Sequence, residues 1–225
     1  MNVVVIIPAF DEQKRITDTV VAARSIPGVS RVLVVDDGSG DETAARAEAA
    51  GARVVRLANN VGKGAALDAG AVRAEDAEVV LLLDADLGAT ASQGALLLAP
   101  VFDGKADMAI AAFPRPTGKA GFGLVKRLAR WGIARMGGGF EAAAPLSGQR
   151  ALTQAAVAAV RPFATGYGVE VTMSIRALRA GMRLLEVETT MSHAATGRDI
   201  AGFVHRGRQF LHVAQALVLV ARERR

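Results

Sequence analysis

Val79-Val80-Leu81-Leu82-Leu83-Asp84-Ala85-Asp86 is the stretch on which the fold reading turns. Five apolar residues without alternation read as a strand covered by helices on both faces, and the run stops on two carboxylates one residue apart. Upstream, the same grammar repeats. Val3 to Ile7 is a β-branched run halted by Pro8, and Glu12 to Arg24 follows with a helical pattern. Arg31 to Val35 and then Asp41 to Ala50 form a second strand and helix, with Ser39 or Asp41 as the expected helix cap. Arg53 to Leu57 and Gly62 to Arg73 form a third pair, and Glu78 to Leu83 is the fourth strand. Repeated strand-helix units predict an α/β protein with a mainly parallel, right-handed, Rossmann-like sheet flanked by helices. Ligands of such sheets collect beyond the carboxyl ends of the strands, which puts Pro8-Ala9, Asp36-Asp37, Asn59-Asn60 and Asp84-Ala85-Asp86 on one edge.

The second half is less regular. Ser92 to Pro100 reads as a helix, Asp107 to Ala112 as a strand, Glu170 to Ala180 as a helix and Arg183 to Val187 as a strand. His205 to Ala221 reads as a final apolar helix. Gly118 to Arg135 mixes Lys126, Arg127, Arg130 and Arg135 with Leu124, Leu128 and Trp131, and Gly137-Gly138-Gly139 ends it. This is the segment best suited to peripheral membrane contact; a solvated helix packed on the core is the alternative. No linker or fixed-period repeat interrupts the chain, so all 225 residues are expected to form a single domain.

Composition narrows the chemistry. At 51% hydrophobic and 22% charged, the chain is no disordered segment. It has no cysteine, which removes disulfides, thiolate metal sites and cysteine nucleophiles. Aromatic residues make up only 4%, too few for single-strand stacking platforms, and no nucleic-acid partner is expected. The formal charge of +5 suits anionic ligands or surfaces. The opening residues carry no secretory pattern and no run is long enough to span a bilayer; the expected location is cytoplasmic, with membrane association and oligomerisation left open.

Asp84 and Asp86 sit where two carboxylates can hold Mg²⁺ or Mn²⁺ against phosphate oxygens, or simply cap a loop. Asp36-Asp37-Gly38-Ser39 can present an acid to a ribose hydroxyl or base N–H, or form a turn, or do both. Val61-Gly62-Lys63-Gly64 opens a helix with N–H groups and a lysine able to receive a phosphate. It is not a P-loop, because Leu57 and Gly64 stand where Gly and Ser or Thr are required, and Leu67 breaks a dinucleotide fingerprint. His193 can ligate a metal or lie on the surface. His205 and His212, seven residues apart on one helix, default to packing. Glu170, after the turn Gly166-Tyr167-Gly168, can orient an acceptor hydroxyl, act as a general base or cap a helix.

Taken together, Val5-Ile6-Ile7-Pro8-Ala9-Phe10-Asp11-Glu12, Val34 through Thr43, Asn60-Val61-Gly62-Lys63-Gly64 and Asp84-Ala85-Asp86 resemble the family 2 glycosyltransferases of GT-A fold, in family order over about the first 110 residues. The resemblance implies a metal-dependent enzyme moving a sugar from a nucleoside diphosphate sugar, UDP-glucose or a related donor, to an acceptor hydroxyl or phosphate. Residues 1–112 would form the nucleotide-sugar half and 113–225 the acceptor half. Carried onto matching positions, Pro8, Ala9, Phe10, Glu12, Asp37, Lys63, Asp84, Ala85 and Gly148 would line the nucleotide-sugar pocket. Asp86 and His193 would hold Mg²⁺ or Mn²⁺, with Asp86 and Glu170 in the catalytic roles.

Pro145-Leu146-Ser147-Gly148-Gln149-Arg150, Pro162-Phe163 and Gly166 to Glu170 are similar to glucosyl-3-phosphoglycerate synthases and, more loosely, to polyprenyl-phosphate sugar transferases. Inversion would make Glu170 the base; retention would make it the group that positions the acceptor. Two other classes compete. A sugar nucleotidyltransferase would need a glycine-rich loop after the first strand, which this chain lacks. A nucleotide-binding regulator would bind a sugar nucleotide without consuming it.

Overall fold

Strand β1 (Val3–Ala9) runs through the middle of the molecule, and every residue from Val3 to Ile7 is fully buried. Its side chains alternate between two cores. Val3, Val5 and Ile7 point into one, with Ile16, Val20 and Leu97; Val4 and Ile6 point into the other, with Leu67, Val157 and Met173. That double coverage explains the unbroken apolar runs. The computed structural model describes residues 2–113, 123–192 and 200–223, with backbone only for Tyr167 and for residues 200–208.

Helices and strands alternate through the first half: α1 (Ile16–Arg24), β2 (Val29–Asp36), α2 (Thr43–Ala49), β3 (Arg53–Arg56), α3 (Lys63–Val72) and β4 (Val79–Leu82). After a short 3₁₀ segment at Gly88–Gln93 come α4 (Gly94–Phe102), β5 (Met108–Ala112) and α5 (Gly123–Met136). The chain continues with β6 (Arg150–Thr153), α6 (Gln154–Val160), α7 (Val169–Arg179), β7 (Leu184–Glu188) and α8 (Ile200–Arg222). The seven strands form one sheet in the order β3-β2-β1-β4-β6-β5-β7. β1 pairs in parallel with both β2 and β4, whereas β6 lies antiparallel between β4 and β5. The sheet is therefore mixed, and residues from both halves of the chain build it.

The expected elements appear with shifted ends, and two had no expectation. β6 and α6 are short and follow one another directly. Thr153, the residue between them, caps α6 by accepting the Ala156 N–H. The helix expected from Glu12 starts at Ile16, because residues 10–15 form the turn that carries Glu12 to the sheet edge. The cap expected at α2 is only part of what forms. Asp41 accepts the Thr43 N–H at 2.9 Å, but Ser39 accepts instead from the Asp11 N–H at 3.0 Å. Helices α5, α7 and α8 enclose a smaller third core containing Ile133, Ile175 and Val213. Among the described residues, no helix is long and apolar enough to cross a membrane.

Candidate active site

Strand order reverses at β1: the parallel strands β2 and β3 lie to one side and β4 to the other. Such a switch point opens a crevice at the carboxyl ends of the strands. The predicted residues of the first half meet there. Pro8 and Ala9 end β1, and Phe10 follows with 44% of its surface exposed at the crevice. Ala9 accepts the Asp37 N–H at 2.8 Å, so the ends of β1 and β2 are tied beyond their ladder. Asp11 takes a positive φ of 53°, which an aspartate tolerates in a tight turn, and accepts the Gly40 N–H at 3.0 Å.

The two acids ending β2 divide their work. Asp36 is fully buried; it accepts the Ser39 N–H and the Arg56 Nε–H, both at 3.1 Å, and so braces its own turn. Asp37 accepts the N–H groups of Val61 and Gly62 at 2.9 and 2.8 Å, one on each carboxylate oxygen. It thereby sets the loop that launches α3, where Gly62 at φ 95° makes the entering turn.

Lys63, the first residue of α3, reaches across the crevice. Its Nζ donates to Asp84 Oδ1 at 2.7 Å and to Glu170 Oε1 at 2.9 Å. Burial alone would lower the pKa of this ammonium, but the two carboxylates outweigh it and raise it well above the ordinary lysine value. It stays charged at any working pH. Gln149 Nε2 donates to the other oxygen of Asp84, whose side chain is thus held from two sides. Gly148 leaves room for this bridge: a Cβ would stand 2.6 Å from Lys63 Nζ and 3.1 Å from each Asp84 carboxylate oxygen, and Lys63 would have to move. Ala85 is buried, and its carbonyl accepts from Thr19 Oγ1 at 2.8 Å, while Thr19 Oγ1 in turn accepts the Gly88 N–H. Asp86 follows, half-buried, on a backbone fixed by these bonds.

Glu12 faces Asp86. Its pKa is raised, first by burial and then by the charges of Asp86, Asp41 and Asp84, against the opposing pull of Arg15. Glu12, Asp84 and Asp86 thus gather negative charge at the mouth of the crevice, with Lys63 compensating Asp84. Glu170 stands in the first turn of α7, where its carboxylate meets Lys63 instead of capping the helix. Beneath it lies Arg150, which is fully buried and donates to Ser147 O, Ser174 Oγ and the Glu170 carbonyl. Burial pushes the Arg150 pKa down to about 10, and Glu170 and Glu186 oppose that fall. Arg150 ties the loop bearing Gly148 and Gln149 to the start of α7.

Three groups in this constellation, Thr19, Gln149 and Arg150, carried no expectation. Gln149 and Arg150 belong to the motif Pro145 to Arg150, but nothing local marks them as contacts of Asp84 and Glu170. His193 lies outside the described residues, as does the side chain of His205. His212 packs against the turn at Gly166, where a Cβ would come 2.6 Å from its Nδ1. Among the described residues no group of three His, Asp or Glu is close enough to hold a metal unaided. The donors fit a hard cation all the same, since Mg²⁺ is commonly held by one or two carboxylates plus substrate phosphates, and oxygen ligands suit Mg²⁺ and Mn²⁺.

Comparison with known proteins agrees with this geometry. Residues 4–155 match the family described as glycosyl transferase family 2. Glycosyltransferase AglJ of Haloferax volcanii is 30% identical over 205 residues, which cover 88% of this chain and 65% of that protein. The chain thus spans a little under two thirds of AglJ. Glucosyl-3-phosphoglycerate synthase of Mycobacterium tuberculosis, solved with Mg²⁺ and UDP, superposes with a TM-score of 0.80 at 25% identity, over 97% of this chain and 79% of that one. The same enzyme with Mn²⁺, UDP-glucose and phosphoglyceric acid gives a TM-score of 0.78 at 25% identity over the same shares.

Proposed function

We propose, from the premise that this chain belongs to glycosyl transferase family 2, that it transfers glucose from UDP-glucose to a phosphorylated hydroxy acid of the 3-phosphoglycerate class, with Mg²⁺ or Mn²⁺ as cofactor. The observation that carries this reading is the convergence of Glu12, Asp37, Lys63, Asp84 and Asp86 on the β1–β4 switch point. The likeness to a synthase solved with UDP-glucose and phosphoglyceric acid supports the donor and the acceptor class.

In this reading residues 1–112 hold the donor, 113–225 supply the acceptor side of the same domain, and the enzyme works in the cytoplasm. Pro8, Ala9, Phe10, Glu12 and Asp37 receive the nucleoside, and Ala85 and Gly148 let its backbone neighbours approach closely. Asp84, already held by Lys63 and Gln149, presents a fixed carboxylate edge to the ribose or base. Asp86, with His193, would hold the metal, which when bound supplies positive charge at the diphosphate.

Lys63 is fixed where negative charge grows as the bond between the sugar C1 and the diphosphate oxygen breaks. Two of its three N–H donors hold Asp84 and Glu170, which leaves the third for the leaving phosphate. Because it is already ordered and charged, little reorganisation is required when that charge develops. Glu170, locked from below by Arg150 and from the side by Lys63, accepts the acceptor's hydroxyl proton in a hydrogen bond and orients its oxygen toward C1.

The test is calorimetric titration of UDP, UDP-glucose and GDP-mannose with and without Mn²⁺, followed by glucose transfer assays with 3-phosphoglycerate. Mn²⁺-dependent binding of the uridine nucleotides, lost in Asp86→Asn, is the expected result. No binding of any donor overturns the donor assignment. Binding and donor hydrolysis without transfer to 3-phosphoglycerate overturns the acceptor class alone.

A further inference from the structure

Helices α5 and α8 lie side by side at close range: Gly132 of α5 is in contact with Leu217 of α8, and a Cβ there would collide with the leucine. Both helices bury one face in the third core, through Val125, Ala129 and Ile133 on α5 and Val213, Leu217 and Val220 on α8. The flanks bordering their contact are nevertheless apolar and exposed. On α5, helical periodicity puts Leu124 and Trp131 in one stripe, 71% and 57% exposed. On α8, Leu211 and Val218 share a stripe and are 59% and 51% exposed. Since Gly132 lies against Leu217 and Gly137 and Glu223 line one cavity at the far end, the helices run in the same direction and the stripes face outward together. The result is an apolar band about 14 Å long.

The charge that the two helices themselves carry has one sign. Neither α5 nor α8 contains an aspartate or glutamate, while α5 carries Lys126, Arg127, Arg130 and Arg135 and α8 ends on Arg222. Arg127 and Arg135 stand four residues before and after Trp131, in reach of whatever covers the tryptophan. A second copy of the chain placed on this face would oppose arginines to arginines, which is unfavourable. An anionic surface with an apolar interior satisfies both features, and tryptophan and arginine are side chains that settle at the boundary of a bilayer.

We infer that the paired outer flanks of α5 and α8 form a docking surface for an anionic phospholipid bilayer, with Trp131 and Leu124 entering the headgroup layer and Arg127 and Arg135 on the lipid phosphates. The surface is independent of the donor chemistry proposed above. Trp131 is the single tryptophan of the chain, so its emission reports the contact directly.

The experiment titrates the full chain with vesicles of equimolar phosphatidylglycerol and phosphatidylcholine, and with phosphatidylcholine alone, at low and high salt. The expected result is a blue shift of Trp131 emission with the anionic vesicles only, weakened by salt. Each arginine near the surface contributes roughly fivefold to partitioning, so Arg127→Ala with Arg135→Ala lowers it about 25-fold. Val218→Asp, at an exposed position, weakens it further while leaving the thermal transition in place. Absence of a shift, or an equal shift with neutral vesicles, overturns the proposal. So does a lipid-free blue shift that grows with protein concentration while the chain sediments as a dimer dissociated by Val218→Asp, since the face would then serve self-association.

Discussion

Replacing Lys63 with methionine removes the ammonium that bridges Asp84 and Glu170 and leaves a side chain of similar length. Both carboxylates touch Nζ, at 2.7 and 2.9 Å, so their bonded oxygens are no more than about 5.6 Å apart. At an effective dielectric of about 20, two unit charges at that separation repel by about 3 kcal/mol. Glu170 is nearly buried and its side chain has little freedom to turn away, whereas Asp84 keeps its bond from Gln149 and some water contact. The expected destabilisation at about pH 8 is therefore about 2–3 kcal/mol, toward the low end of the cost of breaking a buried ion pair. The penalty depends on pH in a defined sense. Without Lys63 the two acids raise each other's pKa in the folded state, so the variant binds protons more tightly folded than unfolded and recovers stability as pH falls toward 5. Urea denaturation of the wild type, Lys63→Met and Lys63→Met with Glu170→Gln, at about pH 8 and pH 5.5, measures this. Glu170→Gln removes one charge and should restore most of the loss at the higher pH. A penalty that is equal at both pH values, or that Glu170→Gln leaves untouched, refutes the electrostatic account of the triad.

Other expectations follow from single contacts. Glu12 has a folded pKa above its ordinary value of 4.5, so its ionised form costs stability above that raised pKa and the cost disappears below 4.5. Glu12→Gln should then melt higher than the wild type near neutral pH with no advantage at about pH 4; an equal gain at both refutes it. Asp37→Ala leaves the Val61 and Gly62 N–H groups without their carboxylate and should cost about 2–4 kcal/mol in denaturant titration, with Asp37→Asn losing less. A loss below 1 kcal/mol, on the order of a surface change, refutes that role. Gly64→Ala puts a Cβ onto the Ala164 carbonyl, and calorimetry should show about 1–3 kcal/mol of overpacking, several degrees in Tm.

How much of this was legible beforehand depends on how local each cause is. β1, β2 and β4 announce themselves because residues buried on both faces must all be apolar, and Glu12, Asp37 and Asp86 follow them in turn beyond their carboxyl ends. β6 hides because it is four residues long and begins with Arg150, a residue type rarely buried without partners. Its partners, Ser147, Ser174 and Glu170, come together only in the fold. The bridge from Lys63 to Glu170 joins positions 107 apart, and nothing in the neighbourhood of either residue encodes it. Gly148 could be read as a close approach, but the group approaching it could not.

The place of β6 in the sheet also bears on how the chain is made. β4 and β5 are neighbours in sequence yet do not pair; each waits for the antiparallel strand that enters between them. β5 ends at Ala112 and β6 starts at Arg150, so a ribosome adding about 5–20 residues per second leaves both strand edges open for roughly 2–8 s. During that interval the nascent chain displays Val79–Leu82 and Met108–Ala112, two apolar segments without a ladder partner on that side. The growing polypeptide is therefore most exposed to mispairing just before Arg150 emerges, and chaperone demand during synthesis should peak over that stretch of the message.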